Sequence, residues 1–389
     1  MEKNTNKPSI RFAEFTDAWE QCKYGSLVGI RRGLTYSPEN IRDDGIRVLR
    51  SSNINEEYFI KSDEDVFVDI NCVNIPFVNN GDILITSANG SSRLVGKHAI
   101  LDDLSSNSSV HGGFMLLASA KNPYFINASM SSNWYKRFIE LYVSGGNGAI
   151  GNLNKNDLKN YDIYVPANNE QVKIGNLFKK LDNLITLHQR KCDQLGNIKK
   201  ALLEKMFPSQ NEYTPRIRFK CFTDAWEQCK LNELVRYYSS NLTASDAQED
   251  GLYDLYDANN LIGKTNSNSI KEKYITVIKD GAGVGRIRIL PQNTSFIGTM
   301  GALLPENSNI DFDFALLSRY SLSSGYSGST IPHIYFKDYG NNDYFVPKIN
   351  EQEEIGKLFK QIDNLITLHQ RKCEKLKNIK KSLLEKMFA

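Results

Sequence analysis

The sequence predicts an α+β protein in which two mixed α/β domains are separated by an antiparallel two-helix coiled coil, built from two long repeated helices related by a pseudo-twofold. The first observation is an internal repeat, because the eleven residues DNLITLHQRKC run from Asp182 to Cys192 and again from Asp363 to Cys373. The second is the heptad pattern in which both copies lie. The third is the strand-like character of the regions between the repeated blocks. A duplicated framework with diverged inserts explains all three.

Further repeats define the framework. LLEKMF at Leu202–Phe207 returns at Leu383–Phe388, with the offset of 181 residues that also separates Asp182 from Asp363. IRFAEFTDAWEQCK begins at Ile10 and IRFKCFTDAWEQCK at Ile217, an offset of 207. Because the two offsets differ by 26, the region between the conserved blocks is 26 residues longer in the first half.

Composition narrows the class of protein. A chain of 389 residues with 40% hydrophobic and 24% charged residues is typical of a soluble globular protein of two or three domains. The sequence has neither an apolar run long enough to cross a bilayer nor an N-terminal secretory signal, so we expect a cytoplasmic protein. Its six cysteines form no C-x-x-C pair and predict neither a disulfide framework nor a zinc site. The net charge of +3 neither requires nor excludes nucleic acid.

The repeated helices carry a heptad seam. From Glu170 to Met206 a helix of about 37 residues would be about 55 Å long, too long to bury its apolar stripe within one small domain. Apolar residues spaced 4-3-4-3, with a His–Lys pair in the middle, predict that the two copies pair with each other. The predicted seam consists of Leu177, Leu181, Leu184, His188, Leu195, Ile198 and Leu202 in the first copy and Leu358, Ile362, Leu365, His369, Leu376, Ile379 and Leu383 in the second.

Two polar features of the helices leave alternatives open. An antiparallel register would bring His188 and His369 together as a device that fixes register, although a half-exposed histidine beside a kink explains the pattern equally well. The surplus lysines, which include Lys199 and Lys380, favour a solvated face over a DNA-binding track.

The segments 24–166 and 231–347 are not helical overall. GDILITS at Gly81–Ser87 and KYITVIKDG at Lys273–Gly281 are rich in β-branched residues and bounded by turns, as strands are. We predict a first domain over residues 1–166, a first long helix over 167–207, a linker over 208–216, a second domain over 217–347 and a second long helix over 348–389.

The sequence contains no self-sufficient catalytic centre. GAGVGR at Gly281–Arg286 has Arg286 in place of the third glycine of a dinucleotide loop, and strand-like residues follow where a helix is needed, so we interpret it as a turn. The five histidines lack metal-ligand spacing, and no G-x-S-x-G motif occurs. We therefore predict no catalytic and no metal-binding residue.

Polar and basic residues beside turns are the remaining candidates. Arginine and lysine bind guanine or phosphate, and asparagine binds adenine through two hydrogen bonds, so these side chains suit the reading of base edges. Each one taken singly is more often an ordinary surface group. The candidates are Arg47, Arg50, Ser51, Asn53, Asn89, Arg93, Lys97 and His98 in the first segment and Asn259, Asn260, Lys279, Arg286 and Arg288 in the second.

The whole chain resembles the specificity subunit of type I restriction–modification enzymes. The duplicated FTDAWEQCK blocks, the NEQ residues at the start of each long helix, and DNLITLHQRKC followed by LLEKMF carry this resemblance. It implies that each variable segment is a target recognition domain for one half of a split DNA sequence, and that the helices form an antiparallel ruler between the domains. It also places further DNA-facing candidates before the closing strands, namely Asn147, Asn152, Lys155, Ser329, Thr330 and His333.

The resemblance also implies partners and cofactors. Two modification subunits that hold S-adenosylmethionine would dock on this chain, and ATP-hydrolysing restriction subunits, with Mg, would join them. The chain itself would bind double-stranded DNA and no cofactor, and would not be an enzyme on its own. The alternative is a coiled-coil scaffold or adaptor that binds protein ligands in place of DNA. A single-chain methyltransferase or nuclease is disfavoured by the missing motifs.

Overall fold

A computed structural model describes residues 7–143, 151–209, 212–267, 269–281, 283–320, 322 and 332–388. The chain divides into two compact units. The first comprises Met1–Leu187 and Lys372–Ala389, and the second comprises His188–Arg371.

The first unit consists of short strands and helices. Its strands are β1 (Glu20–Lys23), β2 (Val28–Arg32), β3 (Ile41–Arg42), β4 (Ile46–Leu49), β5 (Ile54–Asn55), β6 (Tyr58–Phe59), β7 (Val66–Val68), β8 (Ile83–Thr86), β9 (Ala88–Asn89), β10 (His98–Ile100), β11 (Ser109–His111), β12 (Met115–Ala120), β13 (Gly151–Asn152) and β14 (Asp162–Val165). Its helices are α1 (Pro123–Met130), α2 (Asn133–Tyr142), α3 (Lys155–Asn160), the beginning of α4 (Asn168–Lys205) and the end of the second long helix, which spans Ile349–Lys386.

Two four-stranded sheets form the body of this unit. One has the strand order β10-β8-β12-β2 and the other β11-β4-β7-β3. The predicted strand at Gly81–Ser87 is β8, whose four residues are all buried, as its continuous apolar sequence requires. In the smaller sheet β11 runs parallel to β4.

The second unit repeats this plan. Its strands are β15 (Glu227–Lys230), β16 (Val235–Ser239), β17 (Tyr253–Tyr256), β18 (Leu261–Thr265), β19 (Tyr274–Ile278), β20 (Ile287–Leu290), β21 (Thr294–Phe296), β22 (Met300–Pro305) and β23 (Asp343–Val346). Its helices are the end of α4, then α5 (Leu231–Leu234), α6 (Ile310–Arg319), α7 (Phe336–Tyr339) and most of α8 (Ile349–Lys386). The strand orders are β20-β19-β22-β16 and β18-β17-β21, and β21 runs parallel to β17.

The repeated block that begins at Ile10 and at Ile217 fastens each domain to the beginning of a long helix. In the first unit Arg11 donates two 2.7 Å hydrogen bonds to the buried carboxylate of Glu170. The second unit repeats this bidentate pair between Arg218 and Glu351, again at 2.7 Å. Bidentate arginine–carboxylate pairs combine strong hydrogen bonding with a defined orientation. A structural clamp therefore explains why this block is duplicated.

Aromatic side chains complete each clamp. Trp19 packs edge-on against Phe125 and Phe388 in the core of the first unit. In the second unit Trp226 packs against Phe207 and Phe312 in the same way. Large buried aromatic residues contribute much of the apolar burial of a domain.

Each unit also contains an antiparallel pair of helical segments. In the first unit Asp182 on α4 bonds Lys380 on α8 at 2.7 Å, while the Cys373 thiol donates to the Ile185 carbonyl oxygen at 3.9 Å. In the second unit the Cys192 thiol donates to the Ile366 carbonyl oxygen at 3.8 Å. The farther a residue lies along α4, the earlier its contact lies on α8, as expected for two antiparallel helices.

The buried positions differ in part from the predicted seam. Leu184, Ile198, Leu365 and Ile379 are exposed by 43%, 50%, 45% and 40%, so the prediction was wrong for these four. At each of these places, the following residue in the sequence faces the partner helix. In the first long helix, for example, Ile185 follows Leu184 and is only 2% exposed. The observed seam of α4 is Ile174, Phe178, Leu181, Ile185, His188, Cys192, Leu195, Lys199 and Leu202, and Met206, directly after the helix, is also buried.

Polar residues occupy the centre of this seam. The Nδ1 atoms of His188 and His369 lie 2.8 Å apart, so the two rings are in direct contact. Lys199 binds Asp363 at 2.6 Å in the second unit, the counterpart of the Lys380–Asp182 pair. The interpretation of Lys199 and Lys380 as solvated was therefore wrong, since both point at the partner helix.

Lys380 is the more buried of the two lysines. Its side chain is 8% exposed and also binds Glu57, which the β5–β6 turn of the first unit presents. Burial alone would lower the pKa of Lys380, but Asp182 and Glu57 raise it above its ordinary value.

Among the described residues, no helix is both long and apolar enough to span a lipid bilayer.

Candidate nucleic-acid interface

Several strands of the first unit meet at one edge of their sheets. Because β11 and β4 run parallel, with His111 opposite Leu49, the residues that follow both strands lie together. The turn after β11 leads into β12, which pairs with the ends of β8 and β2. We call this group the first edge, and its members are Arg32, Arg50, Ser51, Ser87–Asn89 and Gly112–Phe114.

Four predicted DNA-binding residues are at or beside the first edge. The Asn89 amide donates to the Ser51 hydroxyl at 3.1 Å, which joins the turns after β8 and β4. The exposed Asn152 on β13 pairs with Ala88. Arg50 is half-buried and forms no ion pair with any residue that the structure describes. An unpaired guanidinium beside amide and hydroxyl groups suits phosphate or guanine.

Three predicted residues serve the interior instead. Arg47 forms an ion pair with Asp65 and lies over the Phe67 ring. Asn53 is fully buried, where its amide bonds Asp65 at 2.7 Å. His98 is 6% exposed and bonds Asn127, so the predictions of DNA contact were wrong for the buried Asn53 and His98, while that for the half-buried Arg47 stays a prediction. Removal of His98 from solvent lowers the pKa of its imidazole.

The other candidates of the first unit lie at various places. Arg93 is exposed on the short turn Ser92–Leu94, while Lys97 and Lys155 are half-buried. Asn147 lies outside the described residues.

The second unit has an equivalent edge. The pairings Tyr256 with Phe296 and Ile278 with Met300 bring together the ends of β17, β19 and β21 and the start of β22. We call this group the second edge, and its members are Asp257–Asn260, Lys279, Asp280, Arg286, Ile297–Thr299 and His333.

Two arginines converge on the turn of the second edge. Arg286 donates to the Asn259 side-chain oxygen at 2.6 Å, and Arg288 donates to the Asn259 carbonyl oxygen at 2.8 Å. Arg288 also lies over the Tyr256 ring. Both side chains point the same way, as their alternation along β20 predicts. Arg286 and Asn259 remain exposed and available to a ligand, whereas Arg288 is half-buried.

The remaining candidates of the second unit are near this turn. The His333 ring bonds Asp280 at 2.6 Å, and the backbones of these residues form a bridge. Lys279 is half-buried and Asn260 is exposed. Ser329 and Thr330 lie outside the described residues.

The predicted turn at Gly281–Arg286 joins β19 to β20. Gly283 and Gly285 adopt positive φ angles of 86° and 82°, which glycine tolerates best. A strand follows this turn, and the helix that a dinucleotide site requires is absent from the described segment. In the part of the chain that the structure describes, no three His, Cys, Asp or Glu side chains cluster as metal ligands would.

Sequence reasoning missed two members of the first edge. Arg32, the last residue of β2, is exposed and pairs across the strand with Leu116. Phe114 is 73% exposed in the turn before β12. The paired arginines before Gly33 were an available signal for Arg32, but the sequence contains none for the exposure of Phe114.

Comparison with known proteins identifies the family. The sequence profile described as "Type I restriction modification DNA specificity domain" matches residues 16–197 and 223–378. The chain belongs to this family. DNA recognition is therefore its role, and the predicted resemblance is confirmed, while the scaffold alternative is not favoured.

Individual relatives agree with the family assignment. The putative type I restriction enzyme MjaX specificity subunit of Methanocaldococcus jannaschii is 24% identical over 410 residues, covering 98% of this chain and 95% of that protein. The type I restriction enzyme MjaVIII specificity subunit of the same organism is also 24% identical, over 418 residues, with the same shares covered. The crystal structure of the type I restriction-modification S subunit from M. genitalium has a TM-score of 0.69 at 18% identity, and the match covers 98% of this chain and 99% of that one. This last likeness concerns the fold alone.

Proposed function

We propose that each unit reads one half of a bipartite DNA target through its own edge. The observation that carries this proposal is the contrast between framework and edge. Both units share the clamp, the strand order of the larger sheet and the parallel strand pair. Their edges differ: Arg50, Ser51 and Asn89 in the first, Asn259, Arg286 and His333 in the second. Different polar side chains on the same scaffold suit two different half-sites.

The helices set the spacer between the half-sites in this proposal. Each long helix has 38 residues, which corresponds to about 57 Å at 1.5 Å per residue. Half-sites one turn of B-DNA apart are separated by about 34 Å and face the same side. The length of the helices is sufficient for this separation.

Two modification subunits dock on the chain, one on each copy of the same helix surface. Support comes from exposed apolar residues that the repeat preserves outside the seam. The first unit exposes Leu184 and Leu187 by 43% and 52%, and the second exposes their counterparts Leu365 and Leu368 by 45% each. Apolar residues kept at the same surface positions of two helix copies fit two copies of one partner.

Catalysis and cofactors belong to the partner subunits. The modification subunits hold S-adenosylmethionine, and the restriction subunits use ATP and Mg. This chain supplies the DNA address and is not an enzyme by itself. Support comes from the relatives, which are described as specificity subunits of type I restriction enzymes.

Exchange of the first recognition segment tests the proposal. Residues 24–166 are replaced by the corresponding segment of another family member, and methylated bases are mapped in the host genome. We expect one half of the target to change while the other half and the spacer stay the same. Binding should also weaken steeply with salt, because lysine and arginine contacts to phosphate release counterions.

The unmodified chain and an exchange of the second segment, 231–347, are the controls. The second exchange should alter only the other half of the target. Alteration of both halves by either exchange would contradict the modular assignment. Salt-insensitive binding to protein ligands, without DNA binding, would favour the alternative of a coiled-coil scaffold.

A further inference from the structure

We propose that Phe114 makes an apolar contact with the methyl group of a thymine in the half-site read by the first domain. This inference rests on the proposed function and adds to it a hydrophobic specificity contact. Phe114 lies in the turn between β11 and β12, and its ring is 73% exposed. A single exposed apolar side chain needs no explanation by itself. Its anchoring and its neighbours supply the argument.

The backbone at Phe114 is firmly held. Its carbonyl oxygen accepts hydrogen bonds from the Ser87 amide at 2.9 Å, the Ala88 amide at 3.1 Å and the Ser87 hydroxyl at 3.0 Å. On the other side of the turn, the Gly112 amide donates to the Leu49 carbonyl oxygen at 2.8 Å. The ring therefore projects from a rigid base, and ordering it against a ligand costs little conformational entropy.

The neighbours of Phe114 are polar groups suited to base edges. Ala88, which bonds its carbonyl oxygen, precedes Asn89, and Asn89 bonds Ser51 at 3.1 Å. On the Gly112 side, a Cβ atom at Gly112 would lie 3.7 Å from Cγ of Arg50. The aromatic ring thus belongs to the same surface as a free guanidinium, an amide and a hydroxyl group.

This combination matches one face of duplex DNA in particular. In the major groove, thymine presents a methyl group, which phenylalanine can contact. Guanine and adenine present there the atoms that arginine and asparagine side chains bind. In the second unit the residue directly before β22, as Phe114 is directly before β12, is Thr299. The two edges therefore differ in apolar size at this position, as expected for different half-sites.

Removal of single thymine methyl groups tests the contact. The assembled complex of this chain with its modification subunits binds duplexes that carry the mapped target, with each thymine in turn replaced by uracil. We expect one uracil, in the half-site that changes on exchange of residues 24–166, to weaken wild-type binding about fourfold, the value of one methyl group removed from water. Phe114→Ala should bind the unmodified target at least fourfold more weakly and lose the difference between thymine and uracil. Phe114→Leu should retain part of that difference.

Ile70→Ala is the matched control. Ile70 is 53% exposed after β7, and β7 pairs antiparallel with β4 so that Val68 is opposite Ile46. The control residue is therefore at the other end of β4 from Arg50. Its substitution should leave both the affinity for the target and the uracil effect unchanged.

The outcomes separate this inference from the proposed function. Equal uracil sensitivity in wild type and Phe114→Ala, a first half-site without thymine, or equal weakening on target and scrambled duplexes would each overturn the methyl contact. A Phe114-dependent rise in 2-aminopurine fluorescence without a uracil effect would overturn it in favour of insertion between bases. If the wild-type complex itself fails to distinguish target from scrambled DNA, the proposed function fails first.

Discussion

Asp313 and Ile126 occupy equivalent positions in the two units but differ in chemistry, since one is a buried acid and the other is apolar. Glycines of the long helices identify the two positions as equivalent, because a Cβ on Gly175 would meet the Phe125 amide and one on Gly356 the Phe312 amide. Ile126, after Phe125, packs in an apolar core. Asp313, after Phe312, is fully buried and accepts a hydrogen bond from Ser308 at 2.5 Å. Burial raises the pKa of Asp313 to about 7.

Asp313→Asn should therefore stabilise the second unit at alkaline pH. The folded-state pKa lies above the unfolded value near 3.8, so the folded unit holds the proton more tightly, and its stability falls as the pH rises from 3.8 to 7. The neutral amide avoids this loss, and we expect a gain on the order of 4 kcal/mol at pH 8 and almost none at pH 4. Urea unfolding at each pH, followed by tryptophan fluorescence, measures both values. The exposed Asp338→Asn is the control, and a gain independent of pH would contradict the assignment.

At the scale of elements, the long helices show why a sequence can reveal a heptad repeat without revealing which residues face the partner helix. The leucine-rich pattern and the observed seam share Leu181, His188, Leu195 and Leu202, and differ at the positions between them. Hydrophobicity favours Ile198 over Lys199, and it does not distinguish Leu184 from the buried Ile185. The partner helix reverses that choice, since it offers Asp363 to Lys199 and a carbonyl oxygen to Cys192. A single sequence does not contain this information, because it depends on which surface the partner presents.

Substitution of the exposed leucines separates docking from folding. Leu365→Gln with Leu368→Gln retains good helix formers at exposed positions, so stability should change by less than about 1 kcal/mol. We expect native mass spectrometry to show one modification subunit per chain where the wild type binds two. Ile362→Ala is the contrasting variant, because Ile362 is 7% exposed and its truncation should cost about 2–4 kcal/mol. Two bound modification subunits on the glutamine variant would remove this surface from the proposal.

At the scale of the whole molecule, insertion of one heptad into both helices tests the role of the helices as a ruler. Seven residues lengthen a helix by about 10 Å while keeping the seam in register. The preferred spacer should grow by about three base pairs, at about 3.4 Å each. Binding to duplexes with graded spacers measures the preference. Insertion into one helix alone should misalign the pair and abolish tight binding, and an unchanged preference in the double insertion would exclude the ruler.

The sequence by itself was sufficient for the α+β class, the paired long helices and the family. Repeats and heptads are local patterns, and their physical meaning survives without coordinates. The same holds for the turn at Gly281–Arg286, where missing motif residues exclude a nucleotide loop.

Only the tertiary structure decided which polar residues face solvent. Asn53 and His98 have the chemistry of DNA-binding side chains, but Asp65 and Asn127, distant in sequence, hold them inside. Phe114 has the chemistry of a core residue, yet the turn before β12 leaves it at the surface. The physical reason is that burial and hydrogen-bond partnership depend on residues far apart along the chain, which come together only when the sheets and helices have packed.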